Sequence, residues 1–297
     1  MEQGLPGPLR RSARLTAVVL SHNSLPTLKE VVDAVAGQRS RPDRLIVVDN
    51  ASSDGSVDYL ERLQQSGDAD VLFLDENVGV GSGHNAGWRA AMQVPGCEFI
   101  WALEHDSTPT PSCLELLLET ATSHPEKARI GTVVPRQDLP GAPAVREPRP
   151  VRRGRRMTFN ASLLSVQAIR EAGLLREDFF VGQEDREYAL RLIDAGFLVL
   201  HDLRAVVRHR NLGRRRRGIK PGVARTYYGT RNRIYLEVHL RRRPLAAIEF
   251  PVRSAVAIGR TLVREDHKLD RVRARFRATL DGLAGRMGRK EYYFLGG

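Results

Sequence analysis

An α/β fold, with helices flanking a mixed, mainly parallel sheet and a basic helical extension after it, is what this 297-residue chain predicts. Three observations carry the prediction. Short apolar runs alternate with helically spaced apolar residues in the first half. Polar and acidic residues cluster just after those runs. Beyond Ala224 the runs give way to arginine-rich helical spacing.

Thr16 to Leu20 (TAVVL), Arg44 to Val48 (RLIVV), Val71 to Leu74 (VLFL) and Phe99 to Leu103 (FIWAL) read as buried strands. Leu25 to Ala36 and Val57 to Leu63 supply helices between them. Such alternation gathers ligands at the carboxyl ends of the strands. Ser112 to Thr122 reads as a helix and Ile130 to Pro135 as a strand. Gln137 to Arg156, rich in Pro and Arg, reads as an exposed loop. Thr158 to Val166 returns to alternation and Gln167 to Ala172 is helical. A further helix starts at Glu184-Asp185 and ends near Gly196, before short strands at Phe197 to Leu200 and Ala205 to Val207.

Cys97 and Cys113 have no metal-ligand spacing and no disulfide framework, which fits a reducing compartment. Met1 to Arg14 has no apolar signal-peptide core, so a cytoplasmic protein is expected. The formal net charge of +12 concentrates at Arg152 to Arg156, Arg208 to Arg217, Arg241 to Arg243 and Arg271 to Arg277. That charge attracts polyanions without choosing among nucleic acid, anionic lipid and phosphorylated substrates. A nucleic-acid-binding protein is the alternative function class, and Tyr227, Tyr228 and Tyr235 would be its stacking residues. No recognised binding motif surrounds them, so no nucleic-acid partner is expected.

The strand tips carry Ser21-His22-Asn23, Asp49-Asn50 and Glu104-His105-Asp106. Asp49, at the end of a buried strand, can accept hydrogen bonds from a nucleobase or ribose, whereas Asp54 and Ser56 suit helix capping. Glu104 and Asp106 share a face and can hold a hard divalent cation against a diphosphate. The bland alternative is a polar loop before Pro109. His209 could complete the metal site through a neutral imidazole. Glu184 and Asp185 are adjacent acids at a helix start, where the macrodipole alone would favour them. Their mutual repulsion also suits a base or a ligand facing a cation.

Asn77 to Gly87 reads as a glycine-rich turn opening a helix at Trp88 to Met92, bringing backbone N–H groups near an anion or sugar. Gly81, Gly83 and Ala86 also match a dinucleotide fingerprint. That fingerprint belongs after the first strand, whereas this segment follows the third.

In order, SHNSLPTLKEVVDAVAGQ, LIVVDNASSDGS, ENVGVGSGHNAGW, WALEHDSTP, FFVGQEDREYALRLIDAGF, VVRHRN and TYYGTRNRIYL resemble the motifs of family 2 glycosyltransferases with the GT-A fold, over Leu15 to Leu236. The bacterial rhamnosyl- and galactofuranosyl-transferases of envelope synthesis are the branch they look most like. The resemblance implies a tail over 1–14, a catalytic domain over 15–223 and a basic helical extension over 224–297. It implies an inverting displacement with Mn²⁺ or Mg²⁺. The donor would be a UDP- or dTDP-sugar and the acceptor a glycan or polyprenyl-linked hydroxyl. Ser21, Asn23, Asp49, Asn77, Gly79, Gly83, Asn85, Glu104 and Asp106 then fall on the donor side. Asp106, with Glu104 and His209, would hold the metal. The family's Asp-x-Asp element reads Glu104-His105-Asp106 here, so Asp106 is the matching ligand and Glu104 the departure. Asp185 matches the general base, Glu184 its neighbour on the acceptor, and Asn160 the acceptor-side loop. Asp49, Asp106 and Asp185 are expected to face one cleft.

Leu245 to Val263 is apolar but interrupted by Glu249, Pro251, Arg253 and Arg260, which argues against a bilayer-spanning helix. Val272, Phe276, Leu280 and Leu283 recur at helical spacing among arginines, the pattern of a basic amphipathic helix on an anionic membrane surface at the cytoplasmic face. Packing on the catalytic domain or on a second subunit of a homo-oligomer stays open.

Overall fold

Seven consecutive buried residues, Leu15–Ser21, form β1. A strand buried on both faces must be paired on both edges and covered by helices. In the computed structural model, which describes residues 14–138, 150–209, 222–243, 245–264 and 268–291, β1 pairs in parallel with β2 (Arg44–Asp49) and β4 (Phe99–Glu104), and β2 with β3 (Asp70–Phe73). The crossovers are α1 (Leu25–Ala36), α2 (Ser56–Gln65) and α3 (Gly79–Gln93). Pro26 suits the start of α1, and Leu28, Val31, Val32 and Val35 bury one stripe of it.

The sheet continues through β5 (Ser107–Pro109), α4 (Cys113–Ser123), β6 (Ile130–Asp138), β7 (Val151–Arg153), β8 (Ser162–Ser165), α5 (Val166–Ala172), α6 (Glu184–Asp194) and β9 (Leu198–His209). Its order is β3-β2-β1-β4-β8-β6-β9-β5, with β7 on β9. β6 pairs with β9 in parallel, whereas β4–β8, β6–β8, β5–β9 and β7–β9 are antiparallel. Trp101, Leu103, Val19, Val47 and Leu163 anchor the core, and Trp101 Nε1 donates to the Ala161 carbonyl at 2.9 Å.

Three expectations change. The glycine-rich segment is helix, since α3 starts at Gly79. The two strands expected after α6 are one, β9, whose pairing with β6 shifts register between Pro135 and Arg136. The exposed loop expected over 137–156 contains the end of β6 and all of β7. Its residues 139–149, like Arg210 to Arg217 of the arginine cluster and the tail 1–13, lie outside the described residues.

The chain divides into two units. One takes 1–78, 82–175 and 188–218, and the other takes 79–81, 176–187 and 219–297. The second is built on α7 (Val223–Tyr235), a π-helical turn at Leu236–Leu240, α8 (Ala246–Arg264) and α9 (Lys268–Ala284). Its core joins Phe180, Tyr227 and Tyr228 to Ala274 and Ala278. A Cβ on Gly282 would lie 2.8 Å from the Arg231 carbonyl, so small residues at four-residue spacing let α9 pack closely on α7. Among the described residues, no helix is long and apolar enough to cross a membrane.

Candidate active site

The carboxyl ends of β2, β1 and β4 line up because the parallel register pairs Ser21 with Asp49 and Leu20 with Glu104. In open parallel sheets this edge binds ligands. Ser21 is fully buried and its hydroxyl has no hydrogen-bond partner. Asp49 accepts from the Ser52 N–H at 2.9 Å through Oδ2, while its buried Oδ1 has no partner. Asn23 crosslinks two turns, its N–H donating to Ser52 Oγ at 2.9 Å and its Oδ1 accepting from the Ser53 N–H at 2.7 Å. Asn77 accepts from Asn50 Nδ2 at 3.1 Å.

β5 runs antiparallel to β9 with Ser107 opposite His209. This register sets Asp106 Oδ2 3.6 Å from His209 Nδ1. Ser107 Oγ donates to Asn160 Oδ1 at 2.5 Å and lies 3.5 Å from Asp106 Oδ1. Imidazole and carboxylate thus form one pair, with the hydroxyl–amide pair beside it. Burial lowers the pKa of His105, and the Asp106 charge opposes that shift only in part. Glu104 ends β4 and is partly exposed. Among the described residues no three His, Cys, Asp or Glu side chains gather as a ligand set. A carboxylate oxygen and an imidazole nitrogen 3.6 Å apart are nonetheless close enough to be two ligands of one divalent cation that keeps several waters.

Glu184 and Asp185 open α6 and belong to the helical unit. Gln183, just before them, has φ +76°, and Phe180 has φ +62°, so the approach to the helix is tightly bent. Glu184 is buried, and its Oε2 has no hydrogen-bond partner. Burial, and then the neighbouring Asp185, pushes its pKa up to about 8. A carboxyl that keeps its proton at neutral pH is a hydrogen-bond donor rather than a second anion. Asp185 Oδ1 accepts from the Arg186 N–H at 2.7 Å.

The glycines have packing reasons. A Cβ on Gly79 would lie 2.4 Å from the Phe180 carbonyl oxygen, and one on Gly83 2.6 Å from Leu20 Cδ1. Asn85 commits its amide to Leu175, accepting from its N–H and donating to its carbonyl, each at 2.9 Å. Sequence reasoning missed Ser107, whose role appears only with the β5–β9 register. It also missed Arg231 and Asn232, quoted within a motif but given no role. Both are fully buried and hold the backbone of residues 178–182.

Residues 16–179, more than half of the chain, match the family described as glycosyl transferase family 2. The chain belongs to that family. Asp49, Asp106 and Asn160 fall within the matched segment, whereas Glu184, Asp185 and His209 lie beyond it. A curated relative, galactofuranosyltransferase GlfT1 of Mycolicibacterium smegmatis, is 29% identical over 205 residues, covering 61% of this chain and 65% of the relative. The chain thus spans just under two thirds of that relative's length. Among solved structures, the mannosyltransferase PcManGT from Pyrobaculum calidifontis with GDP-Man and Mn²⁺ aligns with TM-score 0.56 at 16% identity, covering 95% of this chain and 90% of the other. GalNAc-T7 with UDP, GalNAc and Mn²⁺ aligns with TM-score 0.56 at 16% identity, covering 67% and 44%. The fold of this family 2 chain is GT-A, with the helices at its C-terminal end present.

Proposed function

We propose that this family 2 chain is an inverting, metal-dependent glycosyltransferase of cell-envelope polysaccharide synthesis. It would move a sugar from a nucleoside-diphosphate donor to a hydroxyl of a glycan or polyprenyl-linked acceptor. The observation that carries the reading is the Asp106–His209 pair, held 3.6 Å apart by strand register. The Mn²⁺ named with two related structures supports a divalent cation for these groups to hold. Bound there, such a cation supplies charge neutralisation at the departing diphosphate.

The remaining roles fall to the chain itself, with 15–223 as catalytic part and 224–297 as extension. Asp49 Oδ1, buried without a partner, accepts a hydrogen bond from the donor nucleoside. Asp185 takes the acceptor hydroxyl proton as that oxygen attacks the anomeric carbon from the face opposite the leaving diphosphate, which inverts the centre. Glu184, protonated, donates a hydrogen bond on the acceptor side. Asn160 serves the acceptor side through its link to Ser107.

Asp185→Asn tests the reading. Turnover with a matched donor should fall by roughly 10²- to 10⁴-fold while nucleotide affinity stays near wild type. A panel of nucleotide sugars, scored by thermal shift with and without Mn²⁺, supplies that donor. Wild-type turnover in the variant would remove Asp185 as the base.

A further inference from the structure

Every large hydrophobic side chain exposed among the described residues lies between residues 245 and 280. Ile248, Val252 and Val256 of α8, with Leu245 just before it, are 67%, 60%, 52% and 71% exposed. They recur at steps of three and four, one face of a helix. Leu269, Phe276 and Leu280, at steps of seven and four, share one face of α9. The opposite faces are the ones buried in the unit, through Ala246, Phe250 and Ser254 on α8 and through Ala274, Ala278 and Gly282 on α9. Thr279 Oγ1 donates to Ser254 Oγ at 2.9 Å across the pair.

This use of residues is inverted. A core normally takes the largest apolar side chains, because they gain most from leaving water. Here Leu, Ile, Val and Phe face solvent while, Phe250 apart, the packed faces of α8 and α9 carry mostly Ala, Ser, Thr and Gly, which is the arrangement of a surface built to meet a partner.

The charges identify the partner. Arg241 and Arg242 are exposed ahead of α8, beside an Arg243 paired with Glu237 and Glu249, and Lys268, Arg273 and Arg277 are exposed along α9, against one exposed acid on α9, Asp270. In a second copy of the chain, a two-fold contact would set these arginines against one another. An anionic bilayer takes both parts of the surface, apolar residues into the acyl boundary and arginines onto lipid phosphates. We propose that α8 and α9 form a docking surface for an anionic lipid bilayer, lying on it rather than crossing it. The inference rests on these faces and not on sugar transfer.

Flotation of the full chain with vesicles tests it. The wild type should float with equal parts phosphatidylcholine and phosphatidylglycerol, and much less with phosphatidylcholine alone. Val252→Ser with Phe276→Ser should weaken partitioning on the order of tenfold. Arg273→Glu with Arg277→Glu should weaken it by about fivefold or more per site. All four positions are exposed, and circular-dichroism melting verifies that the variants fold. Failure of the wild type to float on anionic vesicles overturns the proposal. So does undiminished flotation by both folded variants, or a dimer in solution that the apolar variant splits while vesicle binding persists.

Discussion

Asn232 donates through Nδ2 to the Phe179 carbonyl at 2.8 Å, and the same nitrogen reaches the carbonyls of Val181 at 3.0 Å and Gly182 at 2.7 Å. Arg231 Nε donates to Asn232 Oδ1 at 2.9 Å, which turns the amide so that its N–H protons face this backbone. The held segment leads directly into Glu184 and Asp185. Asn232→Ala would take the side-chain donor from the part-buried Val181 and Gly182 carbonyls, at a cost of about 1–3 kcal/mol each, while the Phe179 carbonyl keeps the Val181 N–H and Arg231 Nη2. The expected outcome is a lower melting temperature and a kcat loss larger than any change in donor KM. Asn232→Asp, which turns acceptors toward carbonyls, should be worse. A melting curve and steady-state kinetics of both variants check it, and an unchanged kcat in folded Asn232→Ala would mean the loop is positioned by other groups.

Ser107→Ala leaves the β5 backbone pairing intact but removes the hydroxyl that donates to Asn160 and packs 3.5 Å from Asp106 Oδ1. Groups that orient a ligand are typically worth 10- to 100-fold in metal affinity. Mn²⁺ titrated in the presence of a nucleoside diphosphate should therefore bind roughly tenfold more weakly to the variant, and Asp106→Ala should lose more. Equal Mn²⁺ affinity in Ser107→Ala would show that Asp106 is oriented by other contacts.

The front of the sheet was legible because its signals are local. Leu25 to Ala36 is bounded as the apolar spacing predicts, and the four apolar runs are β1 to β4. β5 was not legible, since Ser107–Pro109 has no apolar run and exists only through its pairing with β9. The Asp106–His209 contact follows from that pairing, so sequence could nominate both residues but not their distance. The glycines of α3 read as a turn because their reason is non-local: neighbouring backbone and side chains leave no room for a Cβ. On α9 the periodicity announced an amphipathic helix, but which stripe faces inward is decided by the small residues Ala274, Ala278 and Gly282 that fit against α7.

Glu184 makes stability pH-dependent with a definite sign. Its folded pKa, about 8, stands above the ordinary 4.5. Its stabilising contribution is therefore fully present below 4.5 and is lost as pH rises through about 8. Glu184→Gln keeps the shape, removes the titration and should flatten the stability curve across that window. The variant should be the more stable protein above about pH 8, by up to a few kcal/mol. Urea unfolding from pH 5 to 9 measures this, and parallel curves for the two proteins would show that Glu184 is ionised in the fold.

Gly79→Ala separates two reasons for a glycine. Gly79 has φ +86°, where a Cβ alone costs roughly 1–2 kcal/mol. That Cβ would also stand 2.4 Å from the Phe180 carbonyl oxygen, whose only relief is a shift of the backbone ahead of Glu184. Gly67 has φ +79° with nothing within 4 Å, so Gly67→Ala carries the backbone cost alone. Gly79→Ala should destabilise by about 2–4 kcal/mol, beyond Gly67→Ala by the cost of overpacking. It should also lower kcat, since Val80 N–H donates to the same Phe180 carbonyl at 2.7 Å and the shift breaks that bond. Equal losses of stability in the two variants, with kcat intact in Gly79→Ala, would mean that the 176–187 segment yields freely and that its bent path into Asp185 is not what the glycine protects.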